Sequence, residues 1–415
     1  MSFTSEARWS DVYLSAIARG TSVAGDLLAA TALVLALQAR PGGGYAVAAL
    51  FIASTLPLTV LAPLAGRLAD RVDSRVLLVA VGLAQAACCA ALAYTGRPVV
   101  MIALVGVLAA GLAITQPTFA ALLPEMVDRD TLPRAAAIGQ TASAIGMLAG
   151  PALAGVLVGQ FGLRLPLLLD AVTYLAIAAA GLLLRTRRNP GLTREAQPDA
   201  RAATWRLRQD VLLSSLVVMT AAVVAAVGLV NVVEVFFLRD TLHVSTTGYG
   251  LIVAVWTATT IVGAWVVSRR AGDDTALART FVTTLAVTTL MITLAGRAPA
   301  VGWLVALWAI GGLSNGALNT VVGVLIARRA APAVRGRVYA TLGGAVNGAN
   351  LVGYLLGGLL VEVLSPGTLL TGSGLVGLAV IAVLAVPVLR VARREREAPH
   401  TVPAGPDRPQ PVVVP

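Results

Sequence analysis

Apolar residues run along this chain in blocks of about twenty or more, separated by short clusters of arginine, aspartate, proline and glycine. Such blocks match the roughly 20 residues a helix needs to cross a bilayer, whereas strands of a membrane barrel would alternate over ~10-residue segments. Twelve spans are expected, near 11–37, 45–65, 76–95, 98–122, 135–159, 164–185, 211–238, 246–268, 277–296, 299–327, 335–363 and 367–390. Span 1 is too long, and too interrupted by Arg19 and Asp26, for a cleaved signal peptide, so it is expected to stay in the mature protein. The pattern predicts an all-α integral membrane protein.

The connections alternate in charge. One set carries Arg67, Arg71 and Arg75, then Arg129 and Arg134, then Arg185 to Arg208, then Arg269 and Arg270, then Arg328, Arg329, Arg335 and Arg337. The intervening set carries single arginines, Arg40, Arg97, Arg164, Arg239 and Arg297, and the last connection has none. The positive-inside rule puts the rich set, and with it both termini, in the cytoplasm. The longest connection, 186–210, divides the chain into halves of six spans, 1–185 and 211–390, and the Pro-rich segment 391–415 reads as a disordered cytoplasmic tail. Arg201, Arg206 and Arg208 around Trp205 suit either an anionic lipid surface or a solvated linker.

Composition narrows the chemistry. Of the 415 residues 57% are hydrophobic and 12% charged, against about 25% charged in soluble proteins. All 31 basic residues are arginine, which excludes a phosphate loop ending in G-K-S/T and any lysine Schiff base. The net charge of +11 is explained by the cytoplasmic arginines, and no nucleic-acid partner is expected. Cys88 and Cys89 lie side by side in an apolar span, without partners at metal-ligand spacing, and read as buried filler. No metal or other cofactor is called for. No Ser–His arrangement or His/Cys/Glu cluster lies within the spans, so an enzyme is not expected. An Ala-, Arg- and Gly-rich chain without lysine fits a GC-rich bacterial source and an inner-membrane location.

The two halves repeat each other. Arg134-AAAIGQTASAIGMLAGPALAG aligns without gaps on Arg337-VYATLGGAVNGANLVGYLLGG, pairing Gly150 with Gly353 and Gly155 with Gly358 at an offset of 203 residues, which also pairs Gln116 with Asn319. Repeats of this kind enclose a site near the bilayer midplane about which the halves rock.

Two motifs carry a family resemblance. Gly66-Arg-Leu-Ala-Asp70-Arg71-Val-Asp-Ser-Arg75, placed in the connection after span 2, resembles the G-x-x-x-D-R-x-G-R-R signature of the major facilitator superfamily, with Asp73 or Ser74 standing for its second glycine. Gly146-x-x-x-Gly150-Pro151-Ala-Leu-Ala154-Gly155 in span 5 resembles that superfamily's antiporter motif, with Ala154 replacing a glycine. The resemblance implies twelve transmembrane helices in two pseudo-symmetric six-helix bundles. It further implies a cytoplasmic latch at Gly66, Asp70, Arg71 and Arg75, alternating access, and export more often than uptake. Leu123-Pro-Glu125, Arg134-Ala-Ala and Gly25-Asp26 resemble the branch of macrolide-efflux and enterobactin-export proteins.

Intramembrane polar residues are the remaining candidates. Asp26, with Arg19 two turns earlier, reads either as a proton-coupling site or as a fixed charged pair. Asp170, entering span 6, and Glu234, near the outer end of span 7 with Arg239 and Asp240 beyond it, are candidates for the substrate cavity; Glu234 reads either as part of an interfacial or gating pair or as a proton site, and Glu362 as solvated. Gln116, Asn231, Asn315, Asn319, Asn347 and Asn350 either meet a polar group of the substrate or join helices. Trp256 suits an aromatic ligand, while Trp9, Trp303 and Trp308 suit membrane interfaces. The expected activity is proton-coupled efflux of amphiphilic small molecules by a monomer in contact with lipid. The alternatives are an uptake symporter or facilitator, or a non-transporting sensor or scaffold on the same fold. Labelling of introduced cysteines is expected to place both termini and the arginine-rich connections on one face; termini on opposite faces would refute the even span number.

Overall fold

The computed structural model describes residues 8–128, 130–187, 207–269 and 272–397, and all regular structure among them is helical. Span 1 is Trp9–Gln38; span 2 comprises Gly43–Val60 and Ala62–Arg71; spans 3 to 6 are Ser74–Tyr94, Pro98–Met126, Leu132–Phe161 and Arg164–Leu183. Span 7 comprises Val211–Val227, Val230–Phe236 and a π-helical turn Phe237–Thr241; spans 8 to 12 are Thr246–Ser268, Asp274–Ala295, Val301–Arg329, Pro332–Leu360 and Pro366–Glu397. Eleven of the twelve are long and apolar enough to cross a membrane. Span 11 has the length, at 29 residues, but Asn347, Asn350 and its glycines dilute its apolar character.

Helix ends follow local chemistry. Asp73, Asp210 and Asp273 open spans 3, 7 and 9, accepting hydrogen bonds from the backbone N–H groups of Arg75 (2.8 Å), Leu213 (2.9 Å) and Ala276 (2.8 Å). Gly42 (φ 67°) and Gly162 (φ 70°) supply left-handed backbone where the chain reverses after spans 1 and 5.

Three boundaries depart from expectation. Span 2 breaks at Leu61, beyond Pro57, and resumes as a second helix through Arg71, so Gly66, Asp70 and Arg71 are helical rather than part of a loop. Asp73 occupies the place of the missing glycine because it caps span 3. Span 12 runs past residue 390 to Glu397; the remainder of the expected tail and most of the 186–210 connection lie outside the described residues.

Packing reproduces the internal repeat. Span 1 lies on spans 5 and 6, span 2 on span 4, and span 3 on spans 4 and 6; span 7 lies on spans 11 and 12, span 8 on span 10, and span 9 on spans 10 and 12. Between the halves, span 5 meets span 8 and span 11 meets span 2. These crossings are equivalent in detail. Side chains at Gly155 and Gly250 would overlap each other's helix backbone, and a side chain at Gly358 would overlap Ala48 and the Gly44 carbonyl. At the 203-residue offset Gly155 corresponds to Gly358, and Thr247, which donates to the Gly155 carbonyl (3.3 Å), corresponds to Gly44.

The halves join at the arginine-poor end. Gln38 Nε2 donates to Asp240 Oδ1 (2.7 Å), and the Gly44 N–H donates to Glu362 Oε1 (2.8 Å). One buried cluster contains residues of both halves, among them Leu37, Val47, Val232 and Leu370; a second, around Phe281 and Leu325, belongs to the second half alone. Toward the arginine-rich end, Gly139 of span 5 and Gly336, Gly343, Gly344 and Gly348 of span 11 have nothing within 4 Å of a would-be side chain. No neighbouring helix closes over these positions, although Asn347 beside them reaches Thr59 of the other half (3.2 Å). There, Arg329 binds Asp210 (2.8 Å) and Asp274 (3.1 Å), tying spans 7, 9 and 10 within one half.

Replacing Gly250 by leucine forces spans 5 and 8 apart. A cysteine placed at Thr247 is expected to react severalfold faster with an impermeant maleimide in that background than in the parent.

Candidate functional site

The helical end of span 2 and the start of span 3 stand at the arginine-rich end. Asp70 and Arg71 are exposed there, nothing lies within 4 Å of a would-be side chain at Gly66, and Arg75 Nη2 donates to the Leu184 carbonyl (2.9 Å). The Arg75 contact fastens this corner to span 6, within its own half. In span 5, Gly146 and Gly150 fit against the span 1 backbone at Gly20 and Ala24, whereas Gly155 and the Pro151 carbonyl face Gly250 of span 8. The glycine motif thus touches both a neighbour in its own half and the opposite half.

A polar cluster lies among spans 1, 3 and 6. Asp26 accepts a hydrogen bond from the Tyr174 hydroxyl. Asp170, 1% exposed, accepts from Cys89 Sγ (3.0 Å) and from Thr173 Oγ1 (3.1 Å). Gly25 permits this arrangement, since a side chain there would collide with the Asp170 carboxylate and the Thr173 hydroxyl. Asp26 also borders a crevice of about 50 Å³ together with Arg19, Ser22, Thr115 and Gln116, and Arg19 extends into a neighbouring cavity of about 210 Å³ between spans 1, 4 and 5. Arg19 and Asp26 share a crevice, but the side chain bonded to Asp26 is Tyr174.

The second half holds a larger cavity, about 390 Å³, lined from spans 7, 8, 9, 10 and 11. Glu234 faces it and accepts a hydrogen bond from Trp308 Nε1 (2.9 Å). Trp256 meets Trp308 edge to face, with ring centroids 5.8 Å apart. Asn231, Asn315 and Asn350 complete the polar lining. The break in span 7 shapes this wall: Gly228 interrupts the helix, Asn231 Nδ2 donates to its carbonyl (3.2 Å), and Gly353 of span 11 packs against it.

Several expectations need correction. Glu234 does not pair with Arg239 and Asp240, because those two point elsewhere: Arg239 donates to the Val244 carbonyl and Asp240 accepts from Gln38. Trp308 is not an interfacial residue but is buried beside Glu234, and Glu362 is not simply solvated but bridges the halves. Cys89 is a hydrogen-bond donor to Asp170 rather than inert filler. Among the amides, Asn319 donates to Asn315 on its own helix (3.0 and 3.1 Å), and Asn347 donates to Thr59 across the halves (3.2 Å). Trp9 carries Arg134 over its ring at 5.0 Å, and Trp303 is exposed. Tyr174 and Thr173 went unremarked in the sequence, although positions four and three residues beyond Asp170 share its helix face.

Gly25→Ala drives a methyl group into Asp170 and Thr173. It is expected to destabilise the protein by about 1–3 kcal/mol, read as a lower apparent melting temperature of the purified protein.

Comparison with known proteins agrees with this architecture. The sequence profile described as Major Facilitator Superfamily matches residues 15–278 and 216–414. No significant match was found among curated protein sequences. Among solved structures, the chain superposes on a variant of the nucleoside transporter NupG with a TM-score of 0.70, at 14% identity, covering 91% of this chain and 99% of that one. It superposes on a bacterial homologue of the iron transporter ferroportin in an inward-facing state with a TM-score of 0.72, at 14% identity, covering 94% and 100%. A POT family transporter in complex with 5-aminolevulinic acid gives a TM-score of 0.73 at 12% identity, covering 94% and 98%. The chain belongs to the Major Facilitator Superfamily.

Proposed function

We propose that this protein is a secondary transporter of the bacterial inner membrane that exports amphiphilic small molecules in exchange for protons, as a monomer with both termini in the cytoplasm. The observation that carries this reading is the space between the halves. The halves meet at one end through glycine-mediated crossings, no neighbouring helix closes over the span 5 and span 11 glycines toward the other, and the second half presents a cavity with tryptophans, amides and one carboxylate. Glycine crossings of this kind can part and re-form as rigid helices rock, which is what alternating access requires. Five aliphatic side chains and two tryptophans around a single carboxylate suit an amphiphilic solute. The arginine distribution supports the cytoplasmic assignment of the arginine-rich end, and the glycine–proline motif of span 5 supports export and the macrolide-efflux and enterobactin-export branch.

Coupling to protons falls to the cluster of the first half. Asp26 and Asp170 bring two carboxylates together behind the crevice that Arg19 enters, and Tyr174 stands ready to donate to Asp26 when it is charged. Proton uptake at Asp26 would alter the Tyr174 contact between spans 1 and 6, and with it the seat of span 5 on span 1. Asp70 and Arg71 would then act on the opposite swing, when the arginine-rich end closes.

In proteoliposomes, Asp26→Asn is expected to abolish transport driven by an imposed pH gradient while sparing substrate counterflow. A mutant that remains fully coupled would overturn the assignment. Comparing inside-out with right-side-out vesicles under the same gradient separates export from uptake.

A further inference from the structure

The cavity of the second half has one sign of charge. Among the described residues that line it, Glu234 is the one ionisable side chain. Among the described residues Trp308 Nε1 is the donor to Glu234, on Oε1, which leaves acceptor capacity on a carboxylate that lines the cavity. Trp256 and Trp308 stand edge to face beside it, and the faces of indole rings attract cations more strongly than those of any other side chain. Asn231, Asn315 and Asn350 are net neutral and add oxygen acceptors. Arg19, the cation that borders a cavity in the first half, lies in separate spaces there.

From this geometry we infer that the 390 Å³ cavity is a binding site for a lipophilic organic monocation, its charge set against Glu234 and its apolar or aromatic body against Trp256 and Trp308. The inference deepens the proposed transport function by naming the substrate class, and it rests on that reading only for its physiological meaning. A lone carboxylate with no basic side chain among the described lining residues favours a cation over an anion. A flat or branched aromatic body fits the volume, which lies within the range of small-molecule sites.

The test is equilibrium binding to the purified full-length protein in lipid nanodiscs, using tetraphenylphosphonium and its near-isosteric anion tetraphenylborate. Empty nanodiscs correct for partition into lipid. The expected result is saturable binding of the cation and none of the anion above that correction. Glu234→Gln, which keeps an acceptor for Trp308, is expected to weaken cation binding at least about tenfold. Trp256→Leu, which leaves the carboxylate in place, is expected to weaken it severalfold, so the inference stays testable if the first variant does not fold. Equal binding of the two ions, cation binding indifferent to both substitutions, or binding to empty nanodiscs only would each overturn it. Cation binding with the expected sign preference but no flux in proteoliposomes would leave the site standing and refute the transport reading instead. Coupled flux of neutral or anionic solutes without cation binding would do the reverse.

Discussion

The whole architecture depends on backbone-to-backbone approach at glycine. Lipid tails are as apolar as leucine, so burying a leucine between two helices gains little over leaving it in the bilayer, and close contact takes over as the cohesive force. Here that contact is concentrated at a few crossings. Gly20 meets Gly146, Gly25 meets Asp170 and Thr173, Gly155 meets Gly250, Gly228 meets Gly353, and Gly44 meets Gly358. The first two and the fourth hold each half together, and the others hold the halves to one another. A crossing of this kind has a well-defined closed geometry and few long side chains to disentangle, which suits an interface that must open.

Packing keeps the internal symmetry whereas chemistry breaks it. At the offset that superposes Gly155 on Gly358, Asp26 corresponds to Leu229, Asp170 to Ser373 and Glu234 to Thr31. Each half therefore carries its own buried acid in a different setting. In the first half two carboxylates are enclosed with a tyrosine and a cysteine among spans 1, 3 and 6. In the second, a lone carboxylate faces open space between tryptophans. Under the proposed function, equivalent scaffolds with unequal acids would let one half manage an ion while the other holds the solute, with spans 5 and 8 and spans 11 and 2 as the mechanical link.

The spans, the halves and the repeat were legible because they rest on local physics. A run of twenty apolar residues has no alternative to a helix in lipid, where every backbone N–H and C=O must be satisfied within the segment. The buried acids were visible for the same reason, being costly wherever they sit. Their partners were not. Nothing in the spacing of Glu234 and Trp308, 74 positions apart, announces a hydrogen bond, and Cys89 looks like filler until span 6 is laid against span 3. Glu362 gave no sign that it would accept from the backbone of Gly44 in the other half.

The amino-acid order by itself determined that the chain spans a membrane many times and that its two halves are built alike. Those properties follow from transfer energies and charge, which each segment carries with it. Only the tertiary structure decided which end of the molecule is closed, that Asp26 answers to Tyr174 rather than to Arg19, and that Glu234 takes Trp308 as its partner. Such choices depend on which helix faces are brought together across tens or hundreds of residues, and on a few missing side chains that let them meet.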